Sequence, residues 1–222
     1  MSNGLDRCDA APLAPGTLTG RIVRLQPLST THLDALLAAA NSDATETYRF
    51  THVPRERDGM GRWLAMALES AEAGQALRFA TIELASGRVV GSTGYCSVER
   101  WEWLDGVERR PPGGADSIEI GYTWLERRAQ RTGVNTEAKY LLLRHAFEAL
   151  RVHRVQLKTD ARNQRSRDAI SRIGARFEGV LRSQRPSYED GLRDTAMFSV
   201  VEAEWPAVRA RLEGMLARYH SP

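Results

Sequence analysis

The chain has 222 residues, of which 42% are hydrophobic and 27% are charged. This length and composition predict one soluble globular domain and exclude a disordered chain, and no apolar run approaches the roughly 18 residues that a membrane helix needs. The formal net charge of +3 is a mild excess spread along the chain, which suits an anionic ligand and gives little support to a nucleic-acid partner.

The first 20 residues combine prolines and glycines with small and polar neighbours, and we expect residues 1–20 to form a flexible leader. They lack the charged start and apolar block of a secretory signal, which predicts a cytoplasmic protein. Cys8 and Cys96 are the two cysteines. A disulfide framework and a metal site are therefore not expected, and both thiols should be free.

The first half of the folded chain predicts a strand, two helices, a hairpin and a long surface loop. Thr30 or Thr31 is a candidate N-cap for the first helix, and Gly74 is a favoured helix-ending residue for the second. The predicted ranges are 21–25 for the strand, 33–40 and 58–73 for the helices, 77–84 and 88–98 for the hairpin, and 99–116 for the loop.

The second half predicts alternating strands and helices, in which a strand–helix–strand run implies one parallel pair with a right-handed crossover. The last two strands should form a hairpin, and an amphipathic helix should follow Glu202. The predicted ranges are 117–125, 154–159, 177–182 and 195–201 for the strands, and 134–150 and 164–173 for the helices.

Two tryptophans and two histidines are further residues of interest. Trp101 and Trp103, in the long loop, would either wall a substrate pocket or pack down over a sheet edge. His145 and His153 are expected to be structural, because no second imidazole, cysteine or carboxylate stands at metal-ligand spacing.

The most informative segment is the turn between the strand at 117–125 and the following helix. The first turn of a helix has unpaired backbone N–H groups and a partial positive charge, so it favours an anion such as a phosphate. Gly133 would let a phosphate approach the backbone closely, and Arg128 and Arg131 add positive charge at the rim. The alternative is an ordinary helix start decorated with solvated arginines.

The segment Gln130–Asn135 resembles the Gln/Arg-x-x-Gly-x-Gly/Ala signature of the GNAT superfamily of N-acetyltransferases. The resemblance extends through Glu119–Tyr122, Thr159–Ser166 and Ile173–Arg182, and it points to the RimJ/RimL branch, which acetylates protein amino termini and, in many relatives, small molecules. It covers roughly residues 20–205. Asn135 departs from the signature, and its side chain would crowd or contact a phosphate.

The resemblance implies an α/β fold of the acyl-CoA N-acyltransferase type, with a mostly antiparallel central sheet, one parallel strand pair and flanking helices. The acetyltransferase domain should span 21–205, with 206–222 forming a helix and tail packed on it. Acetyl-CoA is the implied cosubstrate, without a metal. The residues expected to contact it are Trp124, Leu125, Gln130, Arg131, Thr132, Gly133, Val134, Asn135, Thr136, Asn163 and Ser166.

Acetyl transfer to an amine needs a base, a polarised thioester and a leaving thiolate. Glu119 lies between two isoleucines, where apolar surroundings would suit a general base, and it is also the position of the base in many family members. Its alternative is a carboxylate on the wet face of the sheet, paired with an arginine. Ser166 is the expected acid toward the sulfur, as in the resembling branch, with Tyr188 as a reserve acid, a substrate contact or an ordinary loop residue. Asn163 fits both a pantetheine contact and a helix N-cap.

The acceptor is expected to be the primary amine of a protein N-terminus or of a small molecule, acetylated directly in a ternary complex. Its pocket should be formed by 53–60, 99–116 and 183–194. Homodimers are common in the resembling branch, and no membrane partner is expected. The competing function is a non-catalytic module that binds coenzyme A or an acyl-CoA and regulates a partner.

Overall fold

The computed structural model describes residues 13, 16–42, 45–104, 114–189 and 191–219. These residues form one sheet of eight strands, and five α-helices lie against it. The strands are β1 Leu18–Thr19, β2 Val23–Pro27, β3 Leu77–Glu83, β4 Arg88–Glu99, β5 Ser117–Leu125, β6 Arg154–Asp160, β7 Arg176–Pro186 and β8 Leu192–Val201. The helices are α1 Leu33–Asn41, α2 Arg57–Glu72, α3 Gly133–Arg144, α4 Gln164–Arg172 and α5 Trp205–Ala217.

The strands lie in the order β1-β2-β3-β4-β5-β6-β8-β7. Every neighbouring pair is antiparallel except β5 and β6, which are parallel because α3 carries the chain back across the sheet between them. The predicted fold class, a mostly antiparallel sheet with one parallel pair and flanking helices, is confirmed.

The two faces of the sheet carry separate apolar cores. One core lies under α1 and α2 and contains Leu36, Met60 and Trp124. The other, larger core lies under α3 and α5 and contains Leu142, Phe198 and other buried side chains. The chain therefore makes a helix–sheet–helix sandwich in which β4 and β5 contribute to both cores.

The start of the sheet differs from the prediction. Leu18 pairs with Leu25 across an antiparallel ladder, and Leu13 is only 8% exposed within the larger core. The boundary of the leader at residue 20 is therefore wrong, because apolar Leu18 adds an edge strand. The rest of the predicted leader, 1–12 and 14–15, lies outside the described residues.

Two helix boundaries also differ. A 3₁₀ turn at Thr30–His32 precedes α1, and the N–H of Ser29 donates to His32 Nδ1, so neither threonine is the cap. The predicted helix 134–150 ends at Arg144 and continues as a π-helical turn, His145–Ala149. The hydroxyl of Tyr95 donates to the Leu142 carbonyl at 2.6 Å, and a donor inserted into the helix ladder is a known cause of such a change.

The ring-bearing residues of the long loop pack together. The Trp101 ring stacks on His153 at 5.9 Å between centroids, and Trp103 lies 5.4 Å from the same imidazole. The Trp103 indole N–H donates to Asp116 Oδ1 at 3.0 Å. The tryptophans thus cover the sheet rather than line the cavity described below, and the loop residues 105–113 lie outside the described part of the chain.

Candidate active site

The parallel strands β5 and β6 separate after three paired residues. Their register runs from Ser117↔Arg154 to Glu119↔Gln156 and stops there. Beyond this point the two strands diverge, and a cavity of about 1080 Å³ lies around the resulting gap. An open gap in the middle of a sheet leaves backbone groups without ladder partners, which a bound molecule can satisfy.

A β-bulge re-aims the side chains of β5 at the gap. The ladder with β4 pairs Gly94 with Gly121 and Ser92 with Trp124, so Tyr122 and Thr123 both lie opposite one residue of β4. Tyr122 has a φ of +51°, a conformation that costs of the order of 1 kcal/mol in a non-glycine residue. The bulge places this strained residue directly beside the cavity.

Glu119 lines the cavity at the last paired position of β5. Its Oε2 accepts a hydrogen bond from Ser97 Oγ at 2.9 Å and lies 3.0 Å from the Lys158 ammonium. The expectation of apolar surroundings for this carboxylate is therefore wrong, because its side chain shares the cavity wall with a lysine. The expected alternative partner, an arginine, is also not what the structure shows.

Asn163 and Ser166 begin α4 at the far side of the gap, and both line the cavity. Asn163 Oδ1 accepts from the Ser166 backbone N–H at 3.1 Å, which makes Asn163 the N-cap of the helix. Capping occupies only the amide oxygen. The Asn163 Nδ2 group is left available as a donor, so the capping role and a ligand-binding role are compatible.

The backbone at the start of α3 makes more contacts within the protein than the sequence predicts. The Val134 N–H donates to Thr132 Oγ1 at 3.2 Å, so this amide is capped by the chain itself. A Cβ on Gly133 would lie 2.5 Å from Ile22 Cδ1 and 3.1 Å from a Tyr219 ring carbon. Glycine is therefore required here by close protein packing, and the expectation that it serves the approach of a phosphate is not what this contact shows.

The predicted site residues divide into two sets. Those that line the cavity are Glu119, Trp124, Asn135, Asn163, Ser166 and Tyr188. Those outside its lining are Leu125, Gln130, Arg131, Thr132, Gly133, Val134 and Thr136.

Gln130 connects the second set to the first. It donates to the Leu125 carbonyl at 2.8 Å and accepts from Arg165 of α4 at 3.0 Å. It therefore joins the end of β5 to the helix on the other side of the gap.

Two of the three segments that were predicted to form an acceptor pocket lie at this cavity. Segment 53–60 and the connection 183–194 both contribute side chains to the cavity, whereas none of the described residues of 99–116 does. Tyr188 lies at the rim, half exposed, with its ring stacked on His52 at 5.9 Å.

Lys139 was missed by the sequence analysis. It lies on α3 and lines the cavity, and its ammonium donates to Thr93 Oγ1 at 2.9 Å and to Thr123 Oγ1 at 2.6 Å. Burial lowers the pKa of Lys139 from 10.5 to about 7. The burial of Lys139 could have been predicted from its position in the sequence. Leu142 and Leu143 follow it at steps of three and four, which places it on a buried helix face.

Arg78 of β3 was missed as well. It is 6% exposed and lines the same cavity. Alternation along β3 places it on the face of the buried residues Ala80 and Ile82, so its burial could have been read from the strand pattern.

Three comparisons with known proteins fit this geometry. An acetyltransferase (GNAT) domain model matches residues 23–176. A solved GCN5-related N-acetyltransferase from Brucella melitensis is 30% identical with a TM-score of 0.80, covering 94% of this chain and 89% of that one. YdaF of Bacillus subtilis (strain 168), provisionally named a ribosomal N-acetyltransferase, is 28% identical over 171 residues, which are 77% of this chain and 78% of that protein.

A fourth comparison concerns the fold alone. RimJ of Mycobacterium smegmatis, solved in complex with a CoA disulfide, is 21% identical with a TM-score of 0.72, covering 90% of this chain and 91% of that one.

The open mixed sheet and these matches together identify an acyltransferase enzyme. The chain belongs to the GNAT acetyltransferase family, and the match to YdaF supports the predicted RimJ/RimL-like branch. Within the described residues, no group of three His, Cys, Asp or Glu side chains could hold a metal ion, and no helix is long and apolar enough to cross a membrane.

Proposed function

We propose that the protein transfers an acetyl group from acetyl-CoA to the primary amine of a protein N-terminus or a small molecule, directly, within a ternary complex. The observation that carries this proposal is the gap between β5 and β6, which brings Glu119, Asn163 and Ser166 to one cavity. Strand β5 and the start of α4 supply these side chains.

The thioester arm of acetyl-CoA fits the gap edge-on, as an extra strand beside β5. Asn163 Nδ2 would donate to an amide carbonyl of the arm, and Trp124 would flank it. The diphosphate would lie at the start of α3, next to Asn135, where the helix dipole favours negative charge. The CoA disulfide bound by the RimJ of Mycobacterium smegmatis supports this class of ligand.

Glu119 is the proposed base. Lys158 and Ser97 hold its carboxylate in place at the cavity wall. The acceptor's ammonium would lose its proton to this carboxylate directly or through one water. The neutral amine would then attack the thioester carbonyl.

The bulge in β5 would stabilise the thioester carbonyl during the attack. Backbone N–H groups at Tyr122 and Thr123, displaced from the ladder with β4, would stabilise the oxyanion that develops on the carbonyl. Ser166 would donate its hydroxyl hydrogen bond to the departing sulfur. Tyr188, at the rim, is better placed to contact the acceptor than to act as an acid.

Direct transfer is supported by the state of Cys96. Burial, reinforced by the charge of Glu119, raises the pKa of the Cys96 thiol to about 12. A thiol that stays protonated at neutral pH is a poor nucleophile. An acetyl-cysteine intermediate at this position is therefore disfavoured, and the amine itself should attack acetyl-CoA.

The test is a thiol-release assay with acetyl-CoA and a panel of amines, after coenzyme A binding has been established by a thermal shift. Initial rates are measured at varied concentrations of both substrates, and the lines of the double-reciprocal plot should intersect. The Cys96→Ala variant should keep its activity. Parallel lines together with an inactive Cys96→Ala would contradict direct transfer. Binding of coenzyme A without turnover of any amine would instead indicate the non-catalytic module.

A further inference from the structure

Arg78 holds a buried positive charge beside the reacting end of the cavity. Its guanidinium carbon lies 3.6 Å from the centroid of the Tyr122 ring and 5.0 Å from that of Trp63 on α2. The guanidinium thus contacts two aromatic rings, one of them on Tyr122, the residue with the positive φ. Such stacking orients a guanidinium without using its hydrogen-bond donors.

The donors of Arg78 have no partner in the described part of the chain. Its Nε is fully buried without a hydrogen bond, and no described carboxylate lies within 4 Å of the guanidinium. Other arginines of the protein are paired, such as Arg162 with Asp160 and Arg154 with Glu178. Burying a guanidinium without a counter-ion costs folding free energy. The position of Arg78 therefore indicates that an anionic ligand supplies the missing negative charge.

The sheet register relates Arg78 to the proposed base. Arg78 pairs with Gly94, and Gly94 pairs with Gly121, so these three residues form one row across β3, β4 and β5. Glu119 is two residues from Gly121 on the same face, about 12 Å from Arg78 between Cα atoms by standard sheet spacings. Arg78 and Glu119 both line the one cavity, as does Gly121, so a small molecule in that cavity could reach both side chains.

The charge of the cavity favours an anion as well. Seven basic side chains line it, against two acidic ones, Glu56 and Glu119, and Glu119 is paired with a lysine. Arg193 contributes to this excess at the acceptor side. Burial, together with the nearby Arg185, lowers the pKa of Arg193, as expected where positive charges crowd one another.

We propose that the acceptor carries a carboxylate close to its amine, and that Arg78 binds this carboxylate while the amine faces Glu119. This inference rests on the proposed acetyl transfer. The same carboxylate chemistry could come from a free amino acid or from an acidic residue next to a peptide amino terminus. A bidentate contact with a carboxylate provides hydrogen-bond acceptors for the guanidinium donors, while the aromatic rings stack against the faces of the guanidinium.

The test compares acid and amide acceptors of matched shape. One arm uses the peptides Ser-Asp-Ala-Ala and Ser-Asn-Ala-Ala with amidated ends, and the other uses serine and serinamide, with rates compared at equal concentrations of the neutral amine. In at least one arm the wild-type protein should prefer the acid by about 10- to 100-fold in kcat/KM, the value of hydrogen bonds to a charged group. The arm that shows the preference identifies the source of the carboxylate.

Variants assign the preference to Arg78. Arg78→Gln should abolish it while leaving the KM for acetyl-CoA within about twofold, and Arg78→Lys should keep part of it, since charge is retained without the planar fork. Arg24→Gln, at an exposed position on β2 outside the cavity, is the matched control and should keep the full preference.

Three results would overturn the inference. The first is equal use of acid and amide by the wild-type protein in both arms, which needs no variant. The second is an acid preference that survives in Arg78→Gln. The third is a rise in the KM for acetyl-CoA alone, which would show that Arg78 binds the cofactor. Absence of transfer to every acceptor, with coenzyme A still bound, would instead overturn the proposed acetyl transfer and this inference with it.

Discussion

The two edges of strand β6 differ sharply. On one side all seven of its residues pair with β8, from Arg154↔Val201 to Asp160↔Thr195. On the other side only three pair with β5 before the strands part. The same strand thus has one edge that is closed along its whole length and one edge that opens halfway.

Each edge has the side chains that suit it. Buried apolar residues, including Val155 and Phe198, pack along the closed edge. Charged and polar residues, including Glu119, Lys139 and Asn163, surround the open edge. The comparison indicates that β6 carries stability on one side and chemistry on the other, so that substitutions on the two sides should have separable effects.

The largest expected effect is on the open edge. Glu119→Gln removes the proton acceptor without a change of shape, and kcat should fall by about 10²- to 10⁴-fold, the usual contribution of a general base. The dissociation constant for coenzyme A should stay within about twofold, as measured by calorimetry.

Glu119→Asp is the matched variant, because it retains a carboxylate and should recover part of the rate. Exposed Glu102, outside the cavity, provides the control substitution Glu102→Gln. A Glu119→Gln enzyme with unchanged kcat would remove Glu119 from the reaction.

On the closed edge the expected effect is on stability. Phe198 is 1% exposed, pairs with Leu157 and lies 5.3 Å from the Phe177 ring. Phe198→Ala should lower the free energy of unfolding by about 3–5 kcal/mol, from lost burial and the cavity left behind. Urea denaturation measures this loss, and the KM for acetyl-CoA, measured below the melting transition, should be unchanged. A selective loss of acetyl-CoA affinity would contradict the division between the two edges.

The buried ammonium on the open side should make stability depend on pH. Lys139 releases its proton near pH 7 in the folded chain and near 10.5 when unfolded. Between these values the unfolded state binds more protons, so this group makes wild-type stability rise with pH by about 1.4 kcal/mol per pH unit.

Lys139→Met removes that dependence. Its stability relative to the wild type should be highest near pH 7 and should decline as pH rises toward 10, because other groups titrate equally in both proteins. Denaturation curves of both proteins at several pH values give the difference directly. A difference independent of pH would show that Lys139 keeps an ordinary pKa.

The smallest effect concerns the double role of Asn163. Asn163→Ala should cost about 1 kcal/mol of stability through the lost cap, and should raise the KM for acetyl-CoA by roughly 2- to 10-fold through the lost amide donor. Asn163→Ser keeps a capping oxygen but has no amide, so it should restore the melting temperature and leave the KM raised. Recovery of both by serine would reduce Asn163 to a cap.

The sequence predicted the closed parts of the molecule better than the open ones. The stripe of Trp205, Val208, Leu212 and Leu216 is buried in α5 as expected, because helical periodicity reports burial against a neighbour. The gap beyond Glu119 could not be predicted, since it depends on where two strands stop pairing and not on any residue's preference.

The same limit applies to the contacts at the site. The close packing that requires glycine at position 133 comes from Ile22 and Tyr219, which lie in distant parts of the chain. The surroundings of Glu119 were inferred from the isoleucines beside it, whereas alternation turns those onto the opposite face and Lys158 arrives from β6. The local sequence pattern identified the candidate site residues. It could not predict their surroundings, because those contacts come from residues distant in the chain.

The central claim is that coenzyme A enters the sheet at the open edge of β6. A crystal structure of the protein with coenzyme A tests it most directly. The account predicts the thioester arm between β5 and β6, alongside Tyr122 to Leu125, with the diphosphate at the start of α3. Coenzyme A bound elsewhere, with the gap empty and the start of α3 free of phosphate, would contradict it.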